Sequence, residues 1–337
     1  MHVKGTLEER CRRIFEDKGG KIADEARFIL LKEESLKRLR SDLEHISQYW
    51  RDPATPSMII LSCEAVGGKP DKAVHQTALA MTLINLSINL WDDLLDKTVQ
   101  KRFIPTLLGK SGEGVTLIAG VLAQAKAFQI LHEVEIEKEK SQKLMQLVWN
   151  YLKELAEAEI TNIKFKKQTE ISPEEKLRII KMQAESLKAL SNIGVLLGNG
   201  SKDESKHLGN YIKYLSMILD LIKDFKTAIN LTFDLSEKIK RNSLPYTILW
   251  AKDHSQELRE YLISLDKHIK PVDIKEIVRM LTETNVIEHL KQLLTALTKK
   301  ALKELIKLDI NNATQILNFI LTSQVAILDE TLESLSL

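Results

Sequence analysis

The sequence predicts an all-α protein, built as one large helical domain over residues 1–337. Breakers are sparse, with 13 glycines and 7 prolines, and no segment alternates apolar and polar residues as a half-buried strand does. Apolar residues instead recur at spacings of three and four, most clearly in the stripe Val286, Leu290, Leu293, Leu297, Ala301, Leu305. Clusters of breakers at 52–57, 67–71, 109–114, 198–203 and 252–256 divide the chain into about ten to thirteen helices.

The helix starts and the longest apolar run support this prediction. Ser172-Pro173-Glu174-Glu175 places a cap, a first-turn proline and a capping-box glutamate in order. Asp273 and Glu276, after Pro271, repeat the same spacing. The run 78–91 is apolar with scattered polar residues, which predicts a long buried helix.

Composition excludes several classes of protein. The net charge of +2 gives no overall field that would attract nucleic acid or an anionic membrane. The run 78–91 is shorter than the roughly 20 apolar residues that cross a bilayer. The two cysteines, Cys11 and Cys63, are too few for a disulfide framework and fit a reducing compartment. We therefore expect a cytoplasmic protein with no nucleic-acid partner and no transmembrane segment.

Three aspartates follow the run 78–91, at Asp92, Asp93 and Asp96. On a helix, Asp92 and Asp96 lie one turn apart on the same face, about 6 Å along the axis. Carboxylates near a helix C-terminus oppose the helix dipole and repel one another, so a bound cation would relieve the arrangement. Hard cations such as Mg²⁺ prefer these oxygen ligands. A solvated acidic turn, or the cap of the next helix, is the alternative.

A second acidic pair lies at Asp220 and Asp224, again four residues apart and among apolar neighbours. Buried carboxylates need a basic partner or a metal. Lys223 and Lys226 are close enough in sequence to serve as such partners. Two such pairs on separate helices favour a metal-filled cavity between them.

At these residues the sequence resembles the trans-isoprenyl diphosphate synthase and class I terpene synthase superfamily. The first aspartate cluster matches that superfamily's first metal motif, and Lys101 to Thr106 resembles its Arg-Arg-Gly-x-Pro-Thr segment with the glycine lost. Arg241 to Pro245 resembles the segment that follows the second aspartate motif. The resemblance covers nearly the whole chain and implies an isoprenoid-synthase helical bundle.

The resemblance also implies roles for individual residues. Mg²⁺ would be bound by five aspartates: Asp92, Asp93, Asp96, Asp220 and Asp224, of which Asp92, Asp96 and Asp220 would be catalytic. The diphosphate of an allylic isoprenoid would be held by Lys101, Arg102, Lys223 and Arg241. Ser87, Ile88 and Trp91 would line the substrate channel, although for Trp91 core packing is the plainer alternative. The small Ser87 favours a substrate of C15 or longer.

The departures from the superfamily pattern concern its second substrate, isopentenyl diphosphate. The segment that should carry basic residues reads Trp50-Arg51-Asp52-Pro53-Ala54-Thr55-Pro56. The Gly-Gly-Lys strings at Gly19 and Gly67 lack the basic residues that should follow, and the central-helix Lys-Thr pair falls at 182–184, which reads Met-Gln-Ala. Leu221 replaces the middle aspartate of the second motif. Because cationic side chains bind diphosphates, these losses weaken ordinary binding of isopentenyl diphosphate.

Three functions are consistent with this pattern. The first is a terpene synthase-like lyase that ionises one allylic diphosphate and then cyclises or quenches the cation. The second is a prenyltransferase, either a polyprenyl diphosphate synthase with substitute cations (Arg51, Lys181 or Lys188) or an enzyme with an aromatic or peptide acceptor. The third is a non-catalytic subunit of a heteromeric prenyl synthase. The resemblance implies a homodimer, with a heteromer as the alternative.

Overall fold

The structure, a computed structural model, describes residues 6–101, 103–166, 171–229, 235, 238–239, 243–265 and 271–334. It confirms the all-α prediction. The α-helices are α1 (Leu7–Phe28), α2 (Arg40–Tyr49), α3 (Ala54–Ala65), α4 (Lys72–Leu95), α5 (Leu107–His132), α6 (Lys138–Lys166), α7 (Pro173–Ser186), α8 (Lys188–Leu197), α9 (Lys202–Ile229), α10 (Tyr246–His254), α11 (Gln256–Ser264), α12 (Pro271–Glu283), α13 (Val286–Leu305) and α14 (Asn312–Ser334). Short 3-10 helices span Ile29–Lys32 and Glu34–Leu39, and a small hairpin pairs β1 (Gln100–Lys101) with β2 (Ile104–Pro105).

The breaker clusters mark most of the helix ends. The clusters at 52–57, 67–71, 198–203 and 252–256 each coincide with a junction between two helices. The cluster at 109–114 instead lies inside α5, which bends at Gly112, where φ is +81°. Glycine is the residue that adopts this angle without strain, so the helix direction changes there without a long loop.

Residue contacts group the chain into two compact units. The first comprises residues 1–145, 190–205 and 311–314, and the second comprises 146–189, 206–310 and 315–337. The single domain expected over residues 1–337 stays a prediction. In the first unit, α1, α3, α4 and α5 pack on one another, and their core includes the fully buried Ile59, Leu61, Met81, Leu83 and Ile84.

The second unit is built on α9 to α14 with α7. One of its apolar clusters joins Ala228, Leu258, Ile277, Met280 and Val286. The stripe predicted on α13 is confirmed with one change: Leu294 is the buried residue where the sequence favoured Leu293, which is half-buried.

Capping explains where α7 begins, and it corrects the prediction for α12. Ser172 Oγ accepts a hydrogen bond from the Glu175 N–H (3.2 Å), and Glu175 accepts one from the Ser172 N–H (2.9 Å), so the predicted capping box is present. The box predicted at Asp273 is wrong, because α12 already includes Pro271. The Asp273 carboxylate instead accepts a hydrogen bond from the Tyr261 hydroxyl at 3.0 Å.

Helix α5 has an apolar side that the chain leaves exposed. By length and composition alone it could cross a membrane, a test that core helices of soluble proteins also pass. Leu117, Ile118, Val121 and Phe128 are each exposed by a third or more of their surface. This exposed face is of the kind that protein interfaces cover.

Candidate functional site

The first aspartate cluster lies at the C-terminal end of α4. This helix starts at the Asp71 cap and ends with a pair of closing hydrogen bonds: Thr98 N–H to the Asp93 carbonyl (2.8 Å) and Lys97 N–H to the Leu94 carbonyl (3.3 Å). Lys97 adopts φ +52°, the left-handed conformation that this type of helix ending requires. Asp96 is the C-cap. The three aspartates therefore lie in the last turn, where the helix dipole disfavours negative charge.

The three carboxylates differ in exposure. Asp92 and Asp96 are exposed, whereas Asp93 is buried and its Oδ1 lies 2.7 Å from Lys101 Nζ. Burial raises the pKa of Asp93, and Lys101 opposes that rise. Tyr49 lies nearby: its hydroxyl accepts a hydrogen bond from a backbone amide of α5, and burial raises its pKa to about 12. The structure thus pairs the buried Asp93 with Lys101 and places the side chains of Asp92 and Asp96 at the surface.

The hairpin after the cluster carries Lys101, one of the predicted diphosphate-binding cations. Lys101 pairs across it with Ile104, and Phe103 lies at the turn with φ +65° and 79% exposure. This is the position where the superfamily segment has glycine, so a bulky residue holds a backbone conformation suited to glycine. Thr106 then caps α5 and donates to the Thr98 carbonyl at 2.6 Å. The predicted ligand Arg102 lies outside the described residues.

Asp92 and Asp96 fit a hard divalent cation. Magnesium in proteins is commonly held by one or two carboxylates, with phosphate oxygens and water completing its octahedron. Within the described ranges, no group of three His, Cys, Asp or Glu side chains lies close enough to hold a metal by itself. A cation at this pair would therefore depend on oxygen atoms from a phosphorylated substrate.

The predicted channel residues lie earlier on α4. Ser87 is buried and its hydroxyl donates to the Ile84 carbonyl at 2.7 Å, while Ile88 is half-buried. Trp91 lies against Gly120 of α5, where an added β-carbon would lie 2.5 Å from the indole nitrogen. Gly120 thus makes room for Trp91, which supports the packing role. The channel role of all three residues stays a prediction.

The second aspartate pair lies on α9, and Asp224 has structural partners. One oxygen of Asp224 accepts a hydrogen bond from the Tyr246 backbone N–H, and the other lies 3.6 Å from Lys238 Nζ. Asp224 is buried and holds the start of α10. Asp220 is half-buried, and burial raises its pKa to about 6, although Lys223 and Lys176 act to lower it.

These groups line a pocket of about 130 Å³ within the second unit. Its lining comprises Lys176, Ile180, Gln183, Asp220, Lys223, Asp224, Thr227 and Lys238. Lys223 is here as predicted, and Arg241 lies outside the described residues. The sequence interpretation missed Lys176 and Lys238. Lys176, Ile180 and Gln183 stand at i, i+4 and i+7 of α7, a spacing that could have revealed their shared face.

The segment expected to bind a second diphosphate is engaged within the first unit. The Arg51 guanidinium donates to Asp24 (2.7 Å), Glu16 (2.6 Å) and the Gly20 carbonyl (3.2 Å). These partners hold the pKa of Arg51 above its usual value and that of Asp24 below its own. Asp52 Oδ1 accepts from the backbone at the start of α3, and Oδ2 accepts from the Asn85 amide at 2.6 Å. This segment therefore contains a carboxylate, Asp52, and an arginine, Arg51, whose positive charge is already balanced by two carboxylates.

The Gly-Gly string in α1 has a packing explanation. A β-carbon on Gly19 would lie 2.3 Å from the Pro53 carbonyl oxygen, and one on Gly20 would lie 3.2 Å from an Arg51 nitrogen. The two glycines let α1 approach the segment before α3. They serve the packing of α1 in the first unit.

A known protein family matches most of this chain. The family model described as Polyprenyl synthetase matches residues 54–279, which is two thirds of the chain. The chain belongs to the polyprenyl synthetase family. The match begins directly after Arg51 and Asp52, and it includes both aspartate pairs and the lysine-lined pocket.

Curated members of the polyprenyl synthetase family are similar to this chain at low identity. A geranylgeranyl diphosphate synthase of Methanosarcina mazei is 28% identical over 170 residues, covering 50% of this chain and 52% of that protein. A short chain isoprenyl diphosphate synthase of Methanothermobacter thermautotrophicus is 25% identical over 228 residues, covering 66% and 70%. The alignment with the first of these relatives thus spans about half of that relative's length.

Solved structures show the shared fold over almost the full chain. The geranylgeranyl pyrophosphate synthetase of Pyrococcus horikoshii superposes with a TM-score of 0.80 at 22% identity, covering 94% of this chain and 98% of that one. The decaprenyl diphosphate synthase of Rhodobacter capsulatus gives 0.79 at 16%, covering 95% and 99%. The predicted fold class is confirmed.

Proposed function

We propose that this protein is a magnesium-dependent prenyltransferase of the isoprenyl diphosphate synthase type, acting on an allylic isoprenoid diphosphate. The observation that carries the proposal is the pair of exposed carboxylates, Asp92 and Asp96, one turn apart at the end of α4. The names of the relatives support the transferase class, because those proteins are geranylgeranyl and short chain isoprenyl diphosphate synthases. A substrate of C15 or longer remains our expectation from Ser87.

The residues at the end of α4 would have separate roles in the reaction. Asp92 and Asp96 would hold magnesium, which neutralises the diphosphate leaving group and assists ionisation of the allylic C–O bond. Lys101 keeps the buried Asp93 carboxylate compensated and so maintains the local structure of the cluster. The apolar core beneath, with Leu86 and Leu90 buried on α4, excludes water from the helix flank.

A second function is favoured by a specific observation at the segment before α3. Isopentenyl diphosphate would meet the Asp52 carboxylate there, and the nearest arginine is already paired with two carboxylates. A terpene synthase-like reaction, in which the ionised substrate cyclises or takes up water, requires no second diphosphate. A prenyl acceptor without a diphosphate, such as an aromatic compound or a peptide, would meet the same condition.

The deciding experiment supplies geranyl, farnesyl and geranylgeranyl diphosphates with Mg²⁺, each with and without isopentenyl diphosphate, and identifies the products by mass spectrometry. Longer diphosphates formed only with isopentenyl diphosphate support chain elongation. Hydrocarbons or alcohols formed from a single substrate support the lyase function instead. Absence of turnover under every condition contradicts both functions and favours either a non-catalytic subunit or transfer to an acceptor without a diphosphate.

Two variants link any activity to the proposed site. Asp92→Asn and Asp96→Asn should each lower kcat/KM by at least about a hundredfold, because each removes one of two anionic metal ligands. Asp17→Asn changes an exposed aspartate of α1 and serves as the matched control. Equal activity of Asp92→Asn and Asp17→Asn would contradict the assignment.

We also propose that the chain forms a homodimer through the exposed apolar face of α5. Leu117, Ile118 and Val121 lie within about one turn of one another and are half exposed. A second copy of this chain, or a related prenyl synthase, would cover them. Sedimentation velocity of the purified chain distinguishes these two partners, because only a homodimer can form without a second protein.

A further inference from the structure

Among the residues that the structure describes, the lining of the pocket beside Asp220 has more positive than negative side chains. Three lysines line it from separate parts of the second unit: Lys176 from α7, Lys223 from α9, and Lys238 from the segment after α9. Two carboxylates, Asp220 and Asp224, lie among them. A divalent cation brought here would meet three ammonium groups within a pocket of about 130 Å³.

The oxygens of the Asp224 carboxylate are directed to other partners. Asp224 accepts the Tyr246 N–H with one oxygen and faces Lys238 with the other. A metal bound by Asp224 would displace Lys238 or break the hydrogen bond that holds α10. Leu221 stands where the superfamily motif has a further aspartate, so the helix offers one ligand fewer. This pocket therefore does not fit the second metal site that the fold family implies.

The same groups fit a multiply charged anion. Ammonium groups bind phosphate oxygens as compact point charges. The Gln183 amide and the Thr227 hydroxyl line the same pocket and supply further hydrogen-bond donors. Gln183 falls in the segment that lost the superfamily's Lys-Thr pair, and Lys176 stands two turns earlier on the same face of α7.

We infer that this pocket binds the diphosphate group of the isoprenoid substrate directly through lysine ammonium groups, without a bridging metal ion. The inference rests on the proposed function for the identity of the substrate. It predicts opposite behaviour for the two aspartate pairs: Asp92 and Asp96 support the cation, whereas Asp220 repels the anion.

The test is calorimetric titration of the full chain with inorganic pyrophosphate in EDTA, followed by farnesyl diphosphate and orthophosphate in the same buffer. Lys176→Met and Lys238→Met should each weaken pyrophosphate binding about tenfold, the equivalent of one charge-assisted hydrogen bond. Lys206→Met, an exposed lysine of the same helix α9, is the control and should leave binding unchanged. Circular dichroism checks that each variant is folded.

The Asp220→Asn variant distinguishes direct binding of the anion by lysines from binding through a bridging metal ion. If lysines bind the anion directly, removal of this carboxylate raises pyrophosphate affinity in EDTA about threefold or more. If a metal bridges, pyrophosphate binds only after Mg²⁺ is added, and Asp220→Asn lowers both that binding and the number of Mn²⁺ ions counted by electron paramagnetic resonance. This second result overturns the inference.

Comparison of the three ligands distinguishes binding of the substrate diphosphate from binding of free phosphate. Farnesyl diphosphate binding that falls in the lysine variants in parallel with pyrophosphate binding supports the inference. Farnesyl diphosphate binding that the lysine variants leave unchanged, or orthophosphate binding as tight as pyrophosphate binding, overturns it. Failure of the proposed function would appear separately, as loss of the turnover difference between Asp92→Asn and the Asp17→Asn control.

Discussion

Asp220 should destabilise the metal-free protein at neutral pH. Burial raises its pKa from 3.8 to about 6. In the unfolded chain this carboxyl ionises near pH 4, whereas in the folded chain it keeps its proton until about pH 6. Stability linked to Asp220 is therefore fully present below pH 4 and is lost as pH rises toward 6. A shift of about two units corresponds to about 3 kcal/mol at ~1.4 kcal/mol per unit.

Asp220→Asn removes this penalty with a side chain of nearly the same shape. Because Asp220 is half-buried, we expect the free energy of unfolding at pH 7.5 to rise by about 1–3 kcal/mol, and the gain to disappear near pH 4. Urea denaturation followed by circular dichroism, in EDTA, measures both values. Asp17→Asn should give no change at either pH.

An unchanged or lower stability of Asp220→Asn at pH 7.5 would refute the reasoning. It would mean that Asp220 is stabilised by its lysine neighbours more than it is penalised by burial. A gain that is equal at pH 4 and pH 7.5 would refute it as well, because a titrating group must give a pH-dependent difference.

Three further perturbations test the first unit. Phe103→Gly should raise the free energy of unfolding by about 1 kcal/mol, because φ is +65° at this position and glycine adopts that angle without strain. Urea denaturation measures the change, and Phe103→Ala is the control that should show no gain. Lys101→Met should lower the free energy of unfolding by about 1–3 kcal/mol at pH 7.5, since it leaves the buried Asp93 carboxylate unpaired. The loss should shrink as the pH falls, because burial raises the pKa of that carboxyl; equal thermal shifts at pH 7.5 and at acidic pH would contradict this. Val121→Glu should convert a dimer into a monomer in sedimentation velocity, because it places a charge on the exposed apolar face of α5.

Helix positions could be predicted from the sequence because they depend on local chemistry. The capping box at Ser172 and the breakers around Gly67 act within a few residues, so they can be read directly. The bend at Gly112 was harder to predict, because glycine is compatible both with the end of a helix and with a helix that continues after a kink. The box predicted at Asp273 was wrong because its spacing does not show that the helix begins earlier.

The partners of the candidate site residues could not be predicted in the same way, because they come from distant segments. Sequence proximity suggested Lys223 or Lys226 as the partner of the second aspartate pair. The cation close to Asp224 is instead Lys238, fourteen residues further along. Similarly, Arg51 was a candidate substitute cation, and its pairing with Glu16 and Asp24 depends on how α1 packs.

The two aspartate pairs share a spacing and differ in what surrounds them, and this difference bears on function. Asp92 and Asp96 lie at the exposed end of a helix, where a cation relieves repulsion and an opposing dipole. Asp220 and Asp224 line a pocket together with Lys176, Lys223 and Lys238. Because a spacing of four residues is the same in both cases, the motif alone cannot distinguish a metal site from an anion site. The neighbouring charges bear on that distinction, and around α9 they support our proposal that lysines bind the phosphate group.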